Sequence, residues 1–153
     1  ENIILDSKGF WNLTDFGISK YWSPKNTWDS SGTPGYIAPE IVLKIGYGIA
    51  SDIFSVGALA YECLLGKRPY RQGEKQGMSD CMLYFQAQIK PEEQKKYFLS
   101  NEAVDFINKA LERKPTSRIG SEYPGQAKSH PWFKDIDWTS LVKKSGQSPF
   151  LEQ

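Results

Sequence analysis

The chain has 153 residues, of which 39% are hydrophobic and 24% charged, and its formal net charge at pH 7 is +1. This composition is typical of a globular domain, and the near-zero charge argues against binding to nucleic acid or to an anionic membrane. Cys63 and Cys81 lie far apart without metal-ligand partners, which favours reduced thiols and an intracellular, cytoplasmic location.

A short β-hairpin is predicted near the amino terminus. The apolar runs Ile3-Ile4-Leu5 and Phe10-Trp11-Asn12-Leu13 flank the turn-forming residues 6–9, a pattern typical of paired strands. Residues 18–37 contain Ser, Thr, Asn, Pro and Gly without hydrophobic periodicity. This predicts a long loop, and loops of that length in a domain are usually functional.

A long buried helix is predicted near residues 51–65, within the stretch 49–65 in which 12 of 17 residues are apolar. A membrane span needs about 20 apolar residues, and this segment contains Asp52 and Glu62, so a central core helix is the better interpretation. A short helix is expected to precede it at residues 39–44. Gly66 is expected to be the C-cap of the long helix.

Further helices are predicted in the second half of the chain. Met82, Phe85 and Ile89 lie at i, i+3 and i+7, which favours a helix, and Ser100 is the expected N-cap of another. A last short helix should end at residues 130–133, followed by a polar tail with isolated apolar anchors. The predicted fold class is mainly α, with several helices around the central buried one and one short hairpin.

Three motifs occur in a fixed order in the first 40 residues. Asp15-Phe16-Gly17 is followed by Ala38-Pro39-Glu40 with 20 residues between them, and Gly32-Thr33-Pro34 lies just upstream of the second triplet. With Glu1-Asn2 before an apolar run, they resemble the activation segment of eukaryotic serine/threonine protein kinases. The resemblance implies the carboxy-terminal lobe of a kinase domain, beginning in the middle of the catalytic loop.

The carboxy-terminal pattern narrows this resemblance to one group. His130-Pro131-Trp132-Phe133, followed by Asp137-Trp138 and Pro149-Phe150, is similar to the domain end and tail of AGC kinases, the group of cyclic-nucleotide-dependent kinases and their relatives. The implied organisation is a partial kinase domain over residues 1–135 and the start of an AGC-like tail over 136–153.

The resemblance implies transfer of the γ-phosphate of ATP to Ser or Thr of a protein substrate, with Mg²⁺. Asn2 and Asp15 match the family's metal ligands, and oxygen donors suit this hard cation. Ile4 matches the apolar residue beneath the adenine ring. On the residues alone, Asp15 could instead form a turn, and Ile4 could be an ordinary strand residue.

Further positions match the family's peptide site. Thr33, Pro34 and Ile37 lie in the segment that lines the site of the residue after the phosphoacceptor, and the Thr33 hydroxyl can bond to the catalytic aspartate. Glu1 and Glu62 match acidic positions that receive a substrate arginine in basophilic relatives.

Glu62 has an alternative role, and a further acidic position of the family is not acidic in this chain. The alternative for Glu62 is an internal salt bridge to Arg68 or Lys67. Gly35 stands where several relatives have a substrate-reading glutamate.

Regulatory and structural roles follow from the same resemblance. Asp29 falls where AGC kinases have a phosphothreonine, and its charge could hold Lys20 without an upstream kinase. The alternative is that Ser30, Ser31 or Thr27 is phosphorylated. Glu40 and Arg118 are expected to form a buried bidentate salt bridge, and Asp52 is expected to be a buried acceptor that anchors the catalytic loop. Structural roles are thus expected for Glu40, Asp52 and Arg118.

The family's base aspartate, phosphate-binding lysine and Gly-rich loop are not among these residues. The chain alone is therefore not expected to transfer phosphate, and it should need an N-lobe in cis. Side chains of the central helix such as Ile53, Phe54, Leu59 or their neighbours should then be under-covered. A pseudokinase or regulatory protein-binding module is the alternative function.

Overall fold

The computed structural model describes residues 2–21, 23, 31–70, 82 and 84–151. These residues form two units, here called the hairpin unit (the described residues of 1–20 and 134–153) and the helical unit (the described residues of 21–133). The described structure is mostly helical with one two-stranded sheet. In the described parts of the chain, no helix combines the length and hydropathy that crossing a bilayer requires.

The predicted hairpin is confirmed. Strands β1 (Ile3–Leu5) and β2 (Trp11–Leu13) pair antiparallel, with Ile4 opposite Asn12. The turn between them is closed by Asp6, whose Oδ1 accepts hydrogen bonds from the backbone N–H groups of Lys8 and Phe10, both at 2.9 Å. An Asp side chain that bonds to its following backbone is a common way to fix such a turn.

The carboxy-terminal segment of the hairpin unit contains a helix that the sequence analysis missed. Helix Trp138–Val142 is N-capped by Asp137, which accepts from the N–H groups of Thr139 and Ser140. Farther along, Lys144 donates to Asp6 at 2.6 Å and to Asn12 at 2.8 Å. Ser148 donates to the Gly9 carbonyl at 2.5 Å, and the Phe150 ring meets Trp11 edge-on at 5.6 Å.

In the helical unit, the expected central helix is α2 (Ala50–Leu65), preceded by the short α1 (Pro39–Val42). Gly66 is its C-cap with φ +68°, as predicted. Helix α4 (Asn101–Ala110) packs on α2 so closely that a Cβ on Gly57 would lie 2.7 Å from that of Ala110. The remaining elements are α3 (Pro91–Lys96), α5 (Gly125–Lys128), the 3-10 turns Pro115–Ser117 and Pro131–Phe133, and, in the hairpin unit, Trp138–Val142 as α6.

The helix expected at Met82, Phe85 and Ile89 is wrong in its extent. Met82 and Tyr84 are helical, but residues 85–90 have no regular secondary structure, so the helix does not reach Ile89. The Asn108 side chain bonds both the N–H and the carbonyl of Ile89, and a residue before a proline, here Lys90, disfavours the α-helical region.

The expected under-coverage of α2 is found at a neighbour of the named residues and not at Phe54. Phe54 is fully buried, stacked on Tyr70 and covered by the Arg118 guanidinium. Ile53 and Leu59 are half-buried, and their neighbour Val56 is 47% exposed. The under-covered face of α2 among the described residues is therefore the Val56 face and not the Phe54 face.

Candidate functional site

Two oxygen-bearing side chains, Asn2 and Asp15, lie at the open end of the hairpin. The Thr14 N–H donates to the Asn2 carbonyl at 2.9 Å, which extends the strand pairing by one residue and brings Asn2 and Asp15 to the same end. Asp15 has a left-handed backbone, with φ +58°, which Asp tolerates better than most residues. Its Oδ1 accepts from the Gly17 N–H at 3.1 Å.

This end of the hairpin could contribute to a magnesium site. Both side chains are exposed, and an amide oxygen together with a carboxylate suits a hard divalent cation. Oδ1 of Asp15 bonds Gly17, which fixes the carboxylate's orientation. Among the described residues, no group of three or more His, Cys, Asp and Glu side chains could hold a metal. Mg²⁺ takes about six oxygen ligands, so Asn2 and Asp15 could supply only part of its coordination.

Ile4 lies on the same hairpin and is half exposed. It lies in the middle of β1, opposite Asn12, so it is two residues along the strand from Asn2. An exposed aliphatic side chain at this point is available to pack against a flat apolar ring. Lys20, also in the hairpin unit, is exposed.

In the helical unit, the candidate peptide-binding segment is a turn that precedes α1. The Tyr36 N–H donates to the Thr33 carbonyl at 3.2 Å, and the Ser55 hydroxyl on α2 donates to the Tyr36 carbonyl at 2.8 Å. Thr33 and Pro34 are exposed, and Ile37 is half-buried. Helix α2 thus holds this turn through Ser55, and Thr33 lies exposed on it.

A cluster of three side chains joins this turn to the end of α2. The Tyr36 hydroxyl bonds to Oε2 of Glu62, and Nε of Arg68 lies 3.5 Å from Oε1 of the same carboxylate. Arg68 also donates to the Pro34 carbonyl at 3.1 Å, and its guanidinium lies 4.9 Å from the centre of the Tyr36 ring. The pKa of the Tyr36 hydroxyl is raised, chiefly by its hydrogen bond to the Glu62 carboxylate.

The structure distinguishes the two possible salt-bridge partners of Glu62. Arg68 pairs with it, whereas Lys67 pairs with Glu93 at 2.5 Å. Tyr36 was missed by the sequence analysis, because an aromatic residue in a turn has no pattern that reports a distant carboxylate. Arg68 was considered only as a salt-bridge partner, and its contact with Pro34 was not foreseen.

The expected contact between Glu40 and Arg118 is confirmed. The two side chains are 1% and 0% exposed, and the guanidinium grips the carboxylate through Nη1 and Nη2 at 2.7 and 2.9 Å. The Ser51 hydroxyl donates to the same Glu40 carboxylate at 2.7 Å. Arg118 also donates to the carbonyls of Ala50 and Glu112, so the pair ties the turn after Pro115–Ser117 to α1 and α2.

The expected burial of Asp52 is not found in the described part of the chain. Asp52 lies in the first turn of α2 on the exposed side of that helix. The nearby protein nevertheless removes enough water to raise the pKa of its carboxyl. Burial was expected because a catalytic loop would cover it, and the described residues leave this face of α2 open.

Several candidate positions lie outside the described residues or at their edge. Glu1, Asp29 and Ser30 are outside them, as is the alternative phosphosite Thr27. Ser31 is described and exposed. Cys63 is a free thiol on α2, and Cys81 is outside the described residues.

Residues 1–133 match the family model of the protein kinase domain. Protein kinase 2 of Dictyostelium discoideum is 37% identical over 98% of the chain and 30% of its own length. Human ribosomal protein S6 kinase alpha-6 is 37% identical over 98% of the chain and 20% of its length. The cAMP-dependent protein kinase type 3 of Saccharomyces cerevisiae is 34% identical over 98% of the chain and 36% of its length. The chain thus spans between a fifth and two-fifths of the length of these relatives.

Proposed function

The chain belongs to the protein kinase domain family, and we propose that it forms part of an enzyme that transfers the ATP γ-phosphate to Ser or Thr of protein substrates. The match of residues 1–133 to the family model carries this proposal. Residues 1–135 are proposed as the kinase portion and 136–153 as the start of an AGC-like tail. An intracellular, cytoplasmic location is proposed with it.

ATP and Mg²⁺ are the proposed cofactors, and the hairpin end is the proposed contact with them. A bound metal ion neutralises the charge that develops on the transferred phosphoryl group. Asn2 and Asp15 would hold it through their side-chain oxygens, and the Gly17 N–H orients the Asp15 carboxylate. Ile4 would pack beneath the adenine. The N-lobe in cis would complete this site.

The turn before α1 is the proposed peptide site. Thr33, Pro34 and Ile37 would contact the residue after the phosphoacceptor, and the exposure of the first two supports this. The Thr33 hydroxyl would bond to the catalytic aspartate, which fits serine/threonine specificity. Glu1 and Glu62 are the proposed acidic positions that face the rest of the substrate.

Regulation is proposed to act on the segment before this turn. Asp29 would supply a permanent negative charge in place of a phosphothreonine and hold Lys20, whereas Ser30 or Ser31 would be the phosphosite if Asp29 is not used. Glu40, Arg118 and Asp52 are proposed as structural residues.

The experiment compares wild type with Asp15→Ala in a complete kinase domain that carries this chain. Phosphate transfer to a Ser peptide is measured with labelled ATP and Mg²⁺. We expect Asp15→Ala to lower kcat by more than about 100-fold, because a metal ligand contributes several kcal/mol to transition-state stabilisation. Asp135→Ala, an exposed aspartate outside the motif, is the matched control and should keep wild-type activity.

Each unfavourable outcome has its own meaning. Wild-type activity in Asp15→Ala would remove that residue from the metal site and leave the kinase assignment intact. A folded wild-type domain that transfers no phosphate to any Ser or Thr peptide would overturn the enzyme assignment and favour a pseudokinase.

A further inference from the structure

The carboxylate of Glu62 already has an arginine partner within the chain. One oxygen is bonded by the Tyr36 hydroxyl, and the other lies 3.5 Å from Nε of Arg68. A substrate arginine that binds a carboxylate bidentately needs both oxygens. At Glu62 both are engaged, and the charges of Glu62 and Arg68 cancel.

Arg68 is held in this position by contacts beyond the ion pair. Its Nη1 donates to the Pro34 carbonyl at 3.1 Å, and its guanidinium lies over the Tyr36 ring. The Arg68 and Glu62 side chains are 44% and 32% exposed, so the ion pair by itself is weak. The added hydrogen bond and cation–π contact favour the internal arginine over one supplied by a peptide.

Gly35 makes this arrangement possible. Its φ is +97°, and a Cβ built on it would lie 2.8 Å from Cδ of Arg68. A side chain at position 35 would therefore have to displace the arginine. Gly35 leaves the space that Arg68 occupies, and Arg68 offsets the charge of Glu62, so this surface is less negative than a lone carboxylate would make it.

We propose that Arg68 is a specificity-determining residue that takes the place of a substrate arginine at Glu62, so that the kinase does not select arginine at the peptide position facing Glu62. The proposal rests on the proposed function, because it assigns the substrate preference of the same peptide site. Substrates with an uncharged residue at that position are then phosphorylated as well as arginine-containing ones.

The test uses a complete kinase domain that carries this chain and a set of Ser peptides in which each position around the acceptor is Arg or Ala in turn. The measured quantity is the ratio of kcat/KM for the Arg and Ala peptides. We expect a ratio near 1 at the Glu62-facing position in wild type. Arg68→Ala should raise it about 10-fold at one position, because a freed carboxylate then forms a charge-assisted bidentate bond.

Two further variants separate the specific effect from a general change in charge. Lys67→Ala removes the same charge from the adjacent residue, which pairs elsewhere with Glu93, and should leave the ratio at the wild-type value. Adding Glu62→Gln to Arg68→Ala should return the ratio to near 1. If Arg68→Ala does not fold, Arg68→Met removes the charge while keeping an unbranched side chain against Tyr36.

The outcomes distinguish this inference from the proposed function. An active wild-type domain that already prefers arginine at this position, or an equal rise in Lys67→Ala, would overturn the role of Arg68 alone. Absence of transfer to every peptide would overturn the proposed function. In that case, the ratio of peptide Kd values, measured by fluorescence anisotropy, still decides whether Arg68 blocks arginine binding at Glu62.

Discussion

Removing one partner of the buried Glu40–Arg118 pair should be among the most destabilising single changes in the helical unit. Arg118→Met leaves the Glu40 carboxylate, 1% exposed, with the Ser51 hydroxyl as its remaining donor among the described residues. An uncompensated buried charge of this kind typically costs about 3–5 kcal/mol. Arg118 also donates to the carbonyls of Ala50 and Glu112, and orphaned carbonyls add to the loss.

The double variant tests whether the charge or the hydrogen bonds dominate. Glu40→Gln combined with Arg118→Met removes both charges, so its loss should be smaller than the sum of the single losses. It should still be less stable than wild type, because the carbonyls of Ala50 and Glu112 lose their donor in either case. Replacement of a whole buried ion pair by apolar residues of similar volume is often neutral, so the loss that remains in the double variant reports the backbone hydrogen bonds.

The assay is urea unfolding of a complete kinase domain that carries this chain, followed by tryptophan fluorescence. Lys114→Met is the matched control, because it removes an exposed cation four residues away and should change stability by less than about 0.5 kcal/mol. A loss below about 1 kcal/mol for Arg118→Met would refute the reasoning, since it would mean that the Glu40 carboxylate finds water or another donor.

Three other predictions follow from the structure and the sequence. Gly57→Val should destabilise the domain by about 1–3 kcal/mol in urea unfolding, because a Cβ there would lie 2.7 Å from that of Ala110; an unchanged midpoint would contradict the close packing. Lys144→Met should raise the depressed pKa of Asp6, since the Lys144 hydrogen bond is its largest cause, and an NMR titration measures this. Because the pKa of Asp6 is lower in the folded state, its ionised carboxylate stabilises the fold above the unfolded pKa of about 3.9, and this stabilisation is lost as the pH falls through the folded pKa. If the pKa of Asp6 does not change in Lys144→Met, its lowering would be assigned to the bond from the Phe10 N–H. Asp29→Ala should lower kinase activity and Asp29→Thr should make it depend on an upstream kinase, whereas full activity of Asp29→Ala would move the role to the neighbouring serines.

Local signals in the sequence predicted the elements that local chemistry determines. Ser100 accepts from the Ala103 N–H as an N-cap, and Gly66 ends α2 in the left-handed conformation. The α3 helix was missed although its signals are present, a proline at the start with acidic residues in the first turn and lysines in the last. Its polar sequence has no apolar periodicity, so no amphipathic pattern marks it as a helix.

Features that depend on distant residues were predicted only where the family resemblance supplied the partner. The resemblance paired Glu40 with Arg118 across 78 residues, which no periodicity could do. It gave no partner for Ile89, whose backbone is bonded by Asn108, and so a helix was predicted where the chain is irregular. The Tyr36 contact with Glu62 likewise depends on the turn and α2 meeting in space.

The contacts between the hairpin and the tail constrain the order in which this chain can reach its final structure during synthesis. The Gly9 carbonyl receives its bond from Ser148, 139 residues later. At a translation rate of about 5–20 residues per second, the first strands wait about 7–28 s for that partner. During this interval the hairpin depends on its own ladder, and isolated two-stranded hairpins are at best marginally stable in water. A ribosome stalled before Lys144 would therefore hold a nascent chain whose amino-terminal strands are not yet secured.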